Sequence, residues 1–206
     1  AYTRNWSARP QRFPVDMNGD LIYDPNIMRT TNDGEIYFNP HIQTLIKDYS
    51  VAAGLKGTCH NWNWDISNTA GKNDFHFYGD RTYNASMFMT PGTPLRTHFD
   101  DGGFNFLQNT VNLDVSRTFK TVAQGLNLGL GAEYRYEHYQ IYQGEEASYK
   151  SYHPTEIYYP NVGEFRAPAA GSQGFPGFSP TDAIKSHRSN ISLYADAELN
   201  ATNAWL

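Results

Sequence analysis

Several features that define common protein classes are absent from this sequence. Cys59 is the single cysteine among 206 residues, which excludes an internal disulfide framework. No run of about 18 apolar residues occurs, which excludes a transmembrane helix. Charged residues make up only 18% and the net charge is -5, so nothing indicates nucleic-acid binding. The high aromatic content, 15%, is instead typical of β-structure with polar loops.

The stretch 125–142 alternates between apolar and polar side chains, as a strand with two different faces does. The apolar parity runs from leucines to tyrosines: Leu126, Leu128, Leu130, Ala132, Tyr134 and Tyr136. The other parity is polar or small: Asn127, Gly129, Gly131, Glu133, Arg135 and Glu137. The glycines disfavour a helix. The pattern predicts either a strand that crosses lipid and ends at a headgroup layer, or a soluble sheet with one wet face.

Four more segments alternate in the same way. They are residues 50–57, 62–78, 104–118 and 188–200. The connections 58–61 and 119–124 are short, whereas 79–103 and 143–187 are long and rich in turn-forming residues. Tight turns at one end of the strands and long loops at the other are typical of outer-membrane barrels. A soluble sandwich normally has shorter strands.

Residues 1–49 are rich in Asn, Pro, Asp and Thr, and predict a long irregular segment. The predicted organisation is therefore a long extracellular loop region over 1–49, followed by five barrel strands over 50–206 with extracellular loops 79–103 and 143–187. Five strands cannot close a barrel, because the smallest barrels need about eight. An open sheet edge does not occur in lipid. We therefore expect the chain to be a contiguous part of a larger barrel.

The same register predicts which polar side chains face the barrel interior. An arginine turned towards lipid costs roughly 2–4 kcal/mol at the bilayer midplane, so the charged side chains are expected to face the barrel interior. The predicted lumen-facing residues are Glu133, Arg135, Glu137, Asn112, Asp114, Asp196 and Glu198.

Several segments resemble TonB-dependent outer-membrane receptors, especially the Bacteroidetes-type members. LYADAELNATNAWL (193–206) and GLNLGLGAEYRYEHYQIYQGEEASY (125–149) resemble barrel strands of that family. GSQGFPGFSP (171–180) resembles a loop that precedes a later strand, and NLDVSRTF (112–119) fits the strand before. The resemblance implies an antiparallel, up-and-down transmembrane β-barrel in the bacterial outer membrane, typically of 22 strands and plugged.

The resemblance also implies a function. Such receptors bind a scarce, bulky nutrient at the outer face, such as an iron chelate, a glycan, a peptide or a cobalamin-like molecule, and import it with energy from the TonB complex. The partners implied are outer-membrane lipid, the TonB complex and, in some members, a surface lipoprotein. The family's plug and TonB-contacting segment have no counterpart in this sequence, so we expect them elsewhere in a longer chain.

The long loops carry many aromatic residues that could stack on a ligand. The ligand-binding candidates are Tyr149, Tyr152, Tyr158, Tyr159, Phe175 and Phe178. The alternative is that these rings pack the loops on each other or form the interfacial girdle of a membrane protein.

One segment near the N-terminus has oxygen ligands at spacings that suit calcium. They are Asp16, Asn18, Asp20 and Asp24. The glycine lies one residue too early for an EF-hand loop and no glutamate closes it, so an Asx-Gly turn is the alternative. His98, Asp100 and Asp101 could also bind a metal, but a polar loop apex before Gly102 is the simpler interpretation.

Two rival classes of function remain, the first of which is an enzyme. Catalysis is not expected, since Glu133 and Glu137 lie about 13 Å apart on a strand, beyond the roughly 5–9.5 Å that a glycosidase needs. The second rival is a soluble β-sandwich that binds carbohydrate through the same loop aromatics.

Overall fold

The computed structural model describes residues 2–6, 21, 23–25, 27–34, 36–88, 96–153, 155–159 and 163–201, with the side chains of 2–6, Phe88 and Tyr159 left out. Strands make up most of this part of the chain, and the two helices are each one turn long. The prediction of an all-β, antiparallel fold is confirmed. Among the described residues, no helix is long and apolar enough to cross a membrane.

The elements follow one another in a simple order. They are β1 (Tyr2–Trp6), β2 (Met28–Thr30), β3 (Ile36–Phe38), β4 (His41–Cys59), β5 (Trp62–Asp80), α1 (Ala85–Phe88), β6 (His98–Phe119), β7 (Leu126–Tyr142), α2 (Glu146–Tyr149), β8 (Ile157–Tyr159), β9 (Glu164–Arg166) and β10 (Ile184–Leu199). Six of them form one sheet in the order β1-β4-β5-β6-β7-β10, while β2-β3 and β8-β9 are separate two-stranded ribbons. Within the described ranges the large sheet is open, with β1 and β10 at its edges.

The structure has regular strands in a segment for which the sequence predicts irregular chain. Within 1–49 it has β1, the β2-β3 ribbon and the first part of β4. β1 pairs antiparallel with β4, with Tyr2 opposite Leu45 and Trp6 opposite His41. The start of β4 was not predicted because its polar residues are buried, His41 and Thr44 among them, so no apolar–polar alternation marks this strand end.

The other strands extend beyond their predicted bounds. β6 begins at His98 and not at 104, β10 begins at Ile184 and not at 188, and β5 ends at Asp80 instead of residue 78. The predicted loop apex at Asp100 and Asp101 is therefore part of a strand. Polar residues and glycines conceal these strand ends, since apolar periodicity is the signal that predicts a strand.

The turn between β4 and β5 consists of His60 and Asn61, both with positive φ, 51° and 64°. Two central residues of this kind form the type I′ turn that matches the twist of a hairpin. The turn fixes the register of the two strands. Near the turn, Trp64 lies over Gly57, where an added Cβ would come within 2.6 Å of the indole ring.

Strand β6 changes phase near its beginning. Phe104 stacks on Phe75 of β5, whereas Asp100 contacts His76, the next residue of β5 and on its opposite face. Between these two contacts lies Gly102, whose φ is +76°. A glycine with positive φ inside a strand is typical of a β-bulge, which adds one residue and reverses the alternation. An added Cβ on Gly102 would also lie 2.5 Å from the carbonyl oxygen of Tyr142.

The chain divides into two compact units. The first contains Ala1–Lys47, Asp74–Asn105 and Gln140–Ile184, and the second contains Asp48–Asn73, Phe106–Tyr139 and Lys185–Leu206. The buried hydrophobic clusters of the described residues all lie in the first unit. One is built from Ile27, Met28, Phe38, Tyr83 and Ala85, and the other from Met87, Phe99 and Ala147. The second unit is a single layer of long strand segments.

Candidate functional site

Side-chain contacts between strands put several charged residues of the second unit on one face. Arg188 of β10 donates a hydrogen bond to Glu137 of β7, and Tyr194 of β10 donates one to Asp114 of β6. Such contacts form only between residues on the same face of a sheet. Because side chains alternate along each strand, the remaining polar parity of these strands lies on this face as well.

This face holds all seven residues predicted to face a lumen. They are Glu133, Arg135, Glu137, Asn112, Asp114, Asp196 and Glu198. Along this face of β7, Arg135 is flanked by two carboxylates, Glu133 and Glu137. In the structure it forms an ion pair with Glu133 at 2.9 Å, while Glu137 binds Arg188 of the neighbouring strand. Their position on a common face follows from the structure, whereas their contact with a lumen stays a prediction.

Most side chains on the opposite face of the second unit are apolar, and many of these are uncovered. Leu193 is 80% exposed, Ile191 77% and Leu55 71%. Leu113 and Leu130, in the middle of the sheet, are 45% and 39% exposed. Contiguous exposed apolar surface of this kind marks a contact with a membrane or with another protein.

The loop aromatics are distributed over several environments in the first unit. Phe175 and Phe178 pack on each other and on Phe77 of β5, at ring-centroid distances of 5.8, 5.3 and 6.4 Å. Tyr152 packs on the cluster around Phe99. These contacts agree with the alternative that the rings hold the loops together.

Tyr158 differs from the other loop aromatics. It is 47% exposed and lies against Phe165, with the ring centroids 5.3 Å apart in the β8-β9 ribbon. Tyr149 is half-buried in α2, and the side chain of Tyr159 lies outside the described residues. Of the five candidates whose side chains the structure describes, Tyr158 thus offers the most open ring for a ligand.

A row of stacked rings in the first unit was not predicted from the sequence. Tyr78 lies between His76 and His98, at ring-centroid distances of 4.5 and 5.6 Å. Two carboxylates flank the row: Asp100 accepts from His76 Nε2 at 2.8 Å, and Asp80 lies 3.5 Å from His98 Nδ1. The signal that could have found the row is the run of acidic and aromatic residues at successive even positions of β5, namely Asp74, His76, Tyr78 and Asp80.

Tyr142 of β7 extends this row of rings. Its hydroxyl lies 3.2 Å from His76 Nδ1 and 3.1 Å from Asp74 Oδ1. Burial, and then the hydrogen bond to Asp74, raise the pKa of Tyr142 above its ordinary value. Burial and the charge of Asp100 also raise the pKa of Tyr78. Both phenols therefore stay protonated at neutral pH, and the Tyr142 hydroxyl donates a hydrogen bond to Asp74.

The predicted calcium ligands lie mostly outside the described residues. Asp16, Asn18 and Asp20 are not described, and Asp24 is buried, with its carbonyl accepting the amides of Ile27 and Met28. Within the described part of the chain, no group of three His, Cys, Asp or Glu side chains could hold a metal ion. A calcium site at these four residues stays a proposal.

A comparison with models of known protein families finds no match, and comparisons with curated proteins and with solved structures find none either.

Proposed function

We propose that this chain is a segment of the β-barrel wall of a TonB-dependent outer-membrane receptor. In this proposal the apolar face of the second unit contacts hydrocarbon, and the charged face looks into the barrel lumen. The segments that span the membrane are the strand segments of the second unit. Residues 74–105 and 140–184 lie outside the membrane.

The observation that carries the proposal is the uncovered apolar face. Leu113, Leu130 and Leu193 lie on three different strands and are all exposed to solvent. In a barrel wall, hydrocarbon covers the face that carries these side chains, while water contacts the opposite, lumen-facing side. Each strand segment of the second unit is also longer than the roughly 9–11 residues that a tilted strand needs to cross a bilayer.

The soluble alternative predicts a different arrangement. A carbohydrate-binding β-sandwich would pack the apolar face of one sheet on a second sheet about 10 Å away. The hydrophobic clusters of the described residues lie instead in the first unit, around Phe38 and Phe99. The described part of the second unit has no such cluster, which favours lipid over a second sheet as its cover.

The proposed receptor imports a bulky nutrient with energy from the TonB complex, through a plug on another part of the polypeptide. A surface lipoprotein is a further candidate partner. Among the loop aromatics, Tyr158 and Phe165 are the best candidates for contact with the nutrient because their rings are exposed. No catalytic role and no nucleic-acid contact is proposed.

Spin labels at two adjacent positions of β10 would test the face assignment. The variants Leu193→Cys and Ser192→Cys, each with Cys59→Ser, are labelled in the full-length protein and reconstituted in lipid bilayers. We expect dissolved oxygen to relax the label at position 193, and a water-soluble nickel chelate to relax the label at position 192. Equal relaxation of both labels by the nickel chelate would contradict the proposal.

A further inference from the structure

Asp101 is the point at which two long connections attach to strand β6. Its side chain is fully buried, and its Oδ1 accepts a hydrogen bond from Ser172 Oγ at 3.0 Å. Its carbonyl oxygen accepts the amide of Phe178 at 2.9 Å. Backbone and side chain of one residue thus hold the connection 171–178 at both of its ends.

The preceding residue, Asp100, holds the other connection. Its carbonyl accepts the amide of Glu145 at 2.8 Å, and its own amide donates to Glu145 Oε1 at 3.0 Å. The carboxylate of Glu145 also binds Arg96, with both of its oxygens 2.7 Å from Nη2. Residues 143–150 are therefore attached to the same part of β6 as residues 171–178.

The two connections also bind each other. The Ser148 carbonyl accepts the amides of Ser172 and Gly177, both at 2.9 Å, and Gly144 donates to the carbonyl of Phe178 at 2.9 Å. Loosening one connection would therefore loosen the other. The two connections and the start of β6 form one hydrogen-bonded assembly, which we call the loop clasp.

Protein atoms enclose the Asp101 carboxyl closely. Its Oδ2 is buried and has no hydrogen-bond partner, and an added Cβ on Gly79 would lie 3.1 Å from it. Added Cβ atoms on Gly177 and Gly144 would lie 3.0 and 2.6 Å from Asp101 backbone atoms. A charged carboxylate in this position would lack the solvation that it has in water.

The charged groups around Asp101 do not compensate a negative charge. Asp100 and Glu145 are carboxylates, and Arg96 is already bound to Glu145. Residues 171–178 contain no titratable side chain. On α2, Glu146 and Lys150 are bound to each other.

We propose that Asp101 is a pH-dependent latch that fastens the loop clasp as a neutral acid and releases it when the carboxyl loses its proton. Burial raises the pKa of Asp101 to about 8, and Asp100 and Glu145 add to this effect while the Ser172 hydrogen bond opposes it. In the released clasp the carboxyl is hydrated and its pKa is near the ordinary value. The folded clasp thus binds more protons between pH 4 and 8, and its stability falls as the pH rises through this range. The latch does not depend on the proposed transport function.

Hydrogen exchange of the full chain between pH 6 and 9.5 tests the latch. Protection factors, corrected for intrinsic exchange rates, are compared for peptides covering 143–150 and 171–178. Because opening releases one proton, the opening equilibrium constant should increase about tenfold per pH unit between pH 6 and 8 and level off above pH 8. Peptides from residues 126–139 serve as the reference and should keep constant protection.

Asp101→Asn removes the titration but preserves the size of the side chain, so its clasp should show pH-independent protection. Asp182→Asn, which changes an exposed carboxyl in the turn before β10, should behave like the wild type. A wild-type clasp with constant protection from pH 6 to 8 would overturn the proposal, and this test does not require any variant to fold. Asp101→Asn with the wild-type pH response would overturn it as well.

Discussion

Tyr194 of β10 lies directly over Gly131 of β7 and reaches across it to Asp114 of β6. The ring contacts the bare backbone at a position where a side chain would block its path. A tyrosine that covers a cross-strand glycine stabilises register and curvature in designed and natural sheets. The contact joins three adjacent strands on the polar face of the second unit.

Gly131→Ala should therefore displace Tyr194 and break its hydrogen bond to Asp114. We expect a loss of roughly 1–3 kcal/mol in the free energy of unfolding, because an added methyl group overpacks the contact. Gly129→Ala is the matched control, since its Cβ would lie 3.8 Å from Asp196 Cβ, an ordinary van der Waals distance. Urea unfolding of both variants measures the difference, and equal losses would argue against the role of the Tyr194 contact.

Leu128→Arg and Asn127→Arg test the two faces of β7 directly. Leu128 belongs to the apolar parity and Asn127, which accepts a hydrogen bond from Thr118, to the polar one. We expect Leu128→Arg to destabilise the membrane-inserted protein by roughly 2–4 kcal/mol, and Asn127→Arg to be tolerated. Assembly is measured as the folded fraction in outer-membrane preparations. A similar defect in both variants would contradict the face assignment.

Asn84 is a buried polar anchor of the first unit. Its Nδ2 donates to the carbonyls of Ala147 and Lys150, at 2.9 and 2.8 Å, and its Oδ1 accepts from Ser86. Asn84→Ala leaves these buried groups without this hydrogen-bond partner. We expect it to lower the free energy of unfolding by roughly 1–3 kcal/mol. Proteolysis within 143–150 should accelerate. Gln124→Ala, in the exposed turn before β7, should change the stability by less than about 0.5 kcal/mol.

Glu145→Gln should lower the pKa of Asp101. The charge of Glu145 contributes to the raised pKa of this carboxyl, so its removal favours the deprotonated form. The pH at which the loop clasp reaches its lowest protection should move down. Glu146→Gln is the control, because Glu146 is exposed and bound to Lys150. If that pH is unchanged or higher in Glu145→Gln, the result would contradict the proposed electrostatic effect of Glu145.

The sequence predicts the strands of the second unit well because their two faces meet different surroundings. From Leu126 to Tyr136 in β7 and from Ile191 to Leu199 in β10, every second side chain is apolar, so Leu130 and Leu193 mark the register without any tertiary information. The same alternation put Glu137 and Asp114 on one face. The hydrogen bond from Arg188 to Glu137 depends on strand pairing, which a single strand pattern does not contain.

The first unit is much harder to predict from the sequence. The start of β4 buries His41 and Thr44, which look like loop residues, and Asp101 looks like part of a turn before Gly102. Their burial depends on residues 143–178, which lie far away in the chain and have no periodic pattern. Long-range packing of irregular segments therefore determines this part of the fold, and local propensity does not reveal it.

The phase change at Gly102 has a consequence for comparing this chain with others. A relative that lacks one residue at this point would keep the same β6 from Phe104 onwards. The equivalents of Asp100 and Asp101 would each lie on the face of the sheet opposite to the one that they occupy here. Identical letters in a gapless alignment would then occupy different environments. Insertions and deletions at Gly102 therefore carry more information about the loop clasp than substitutions do.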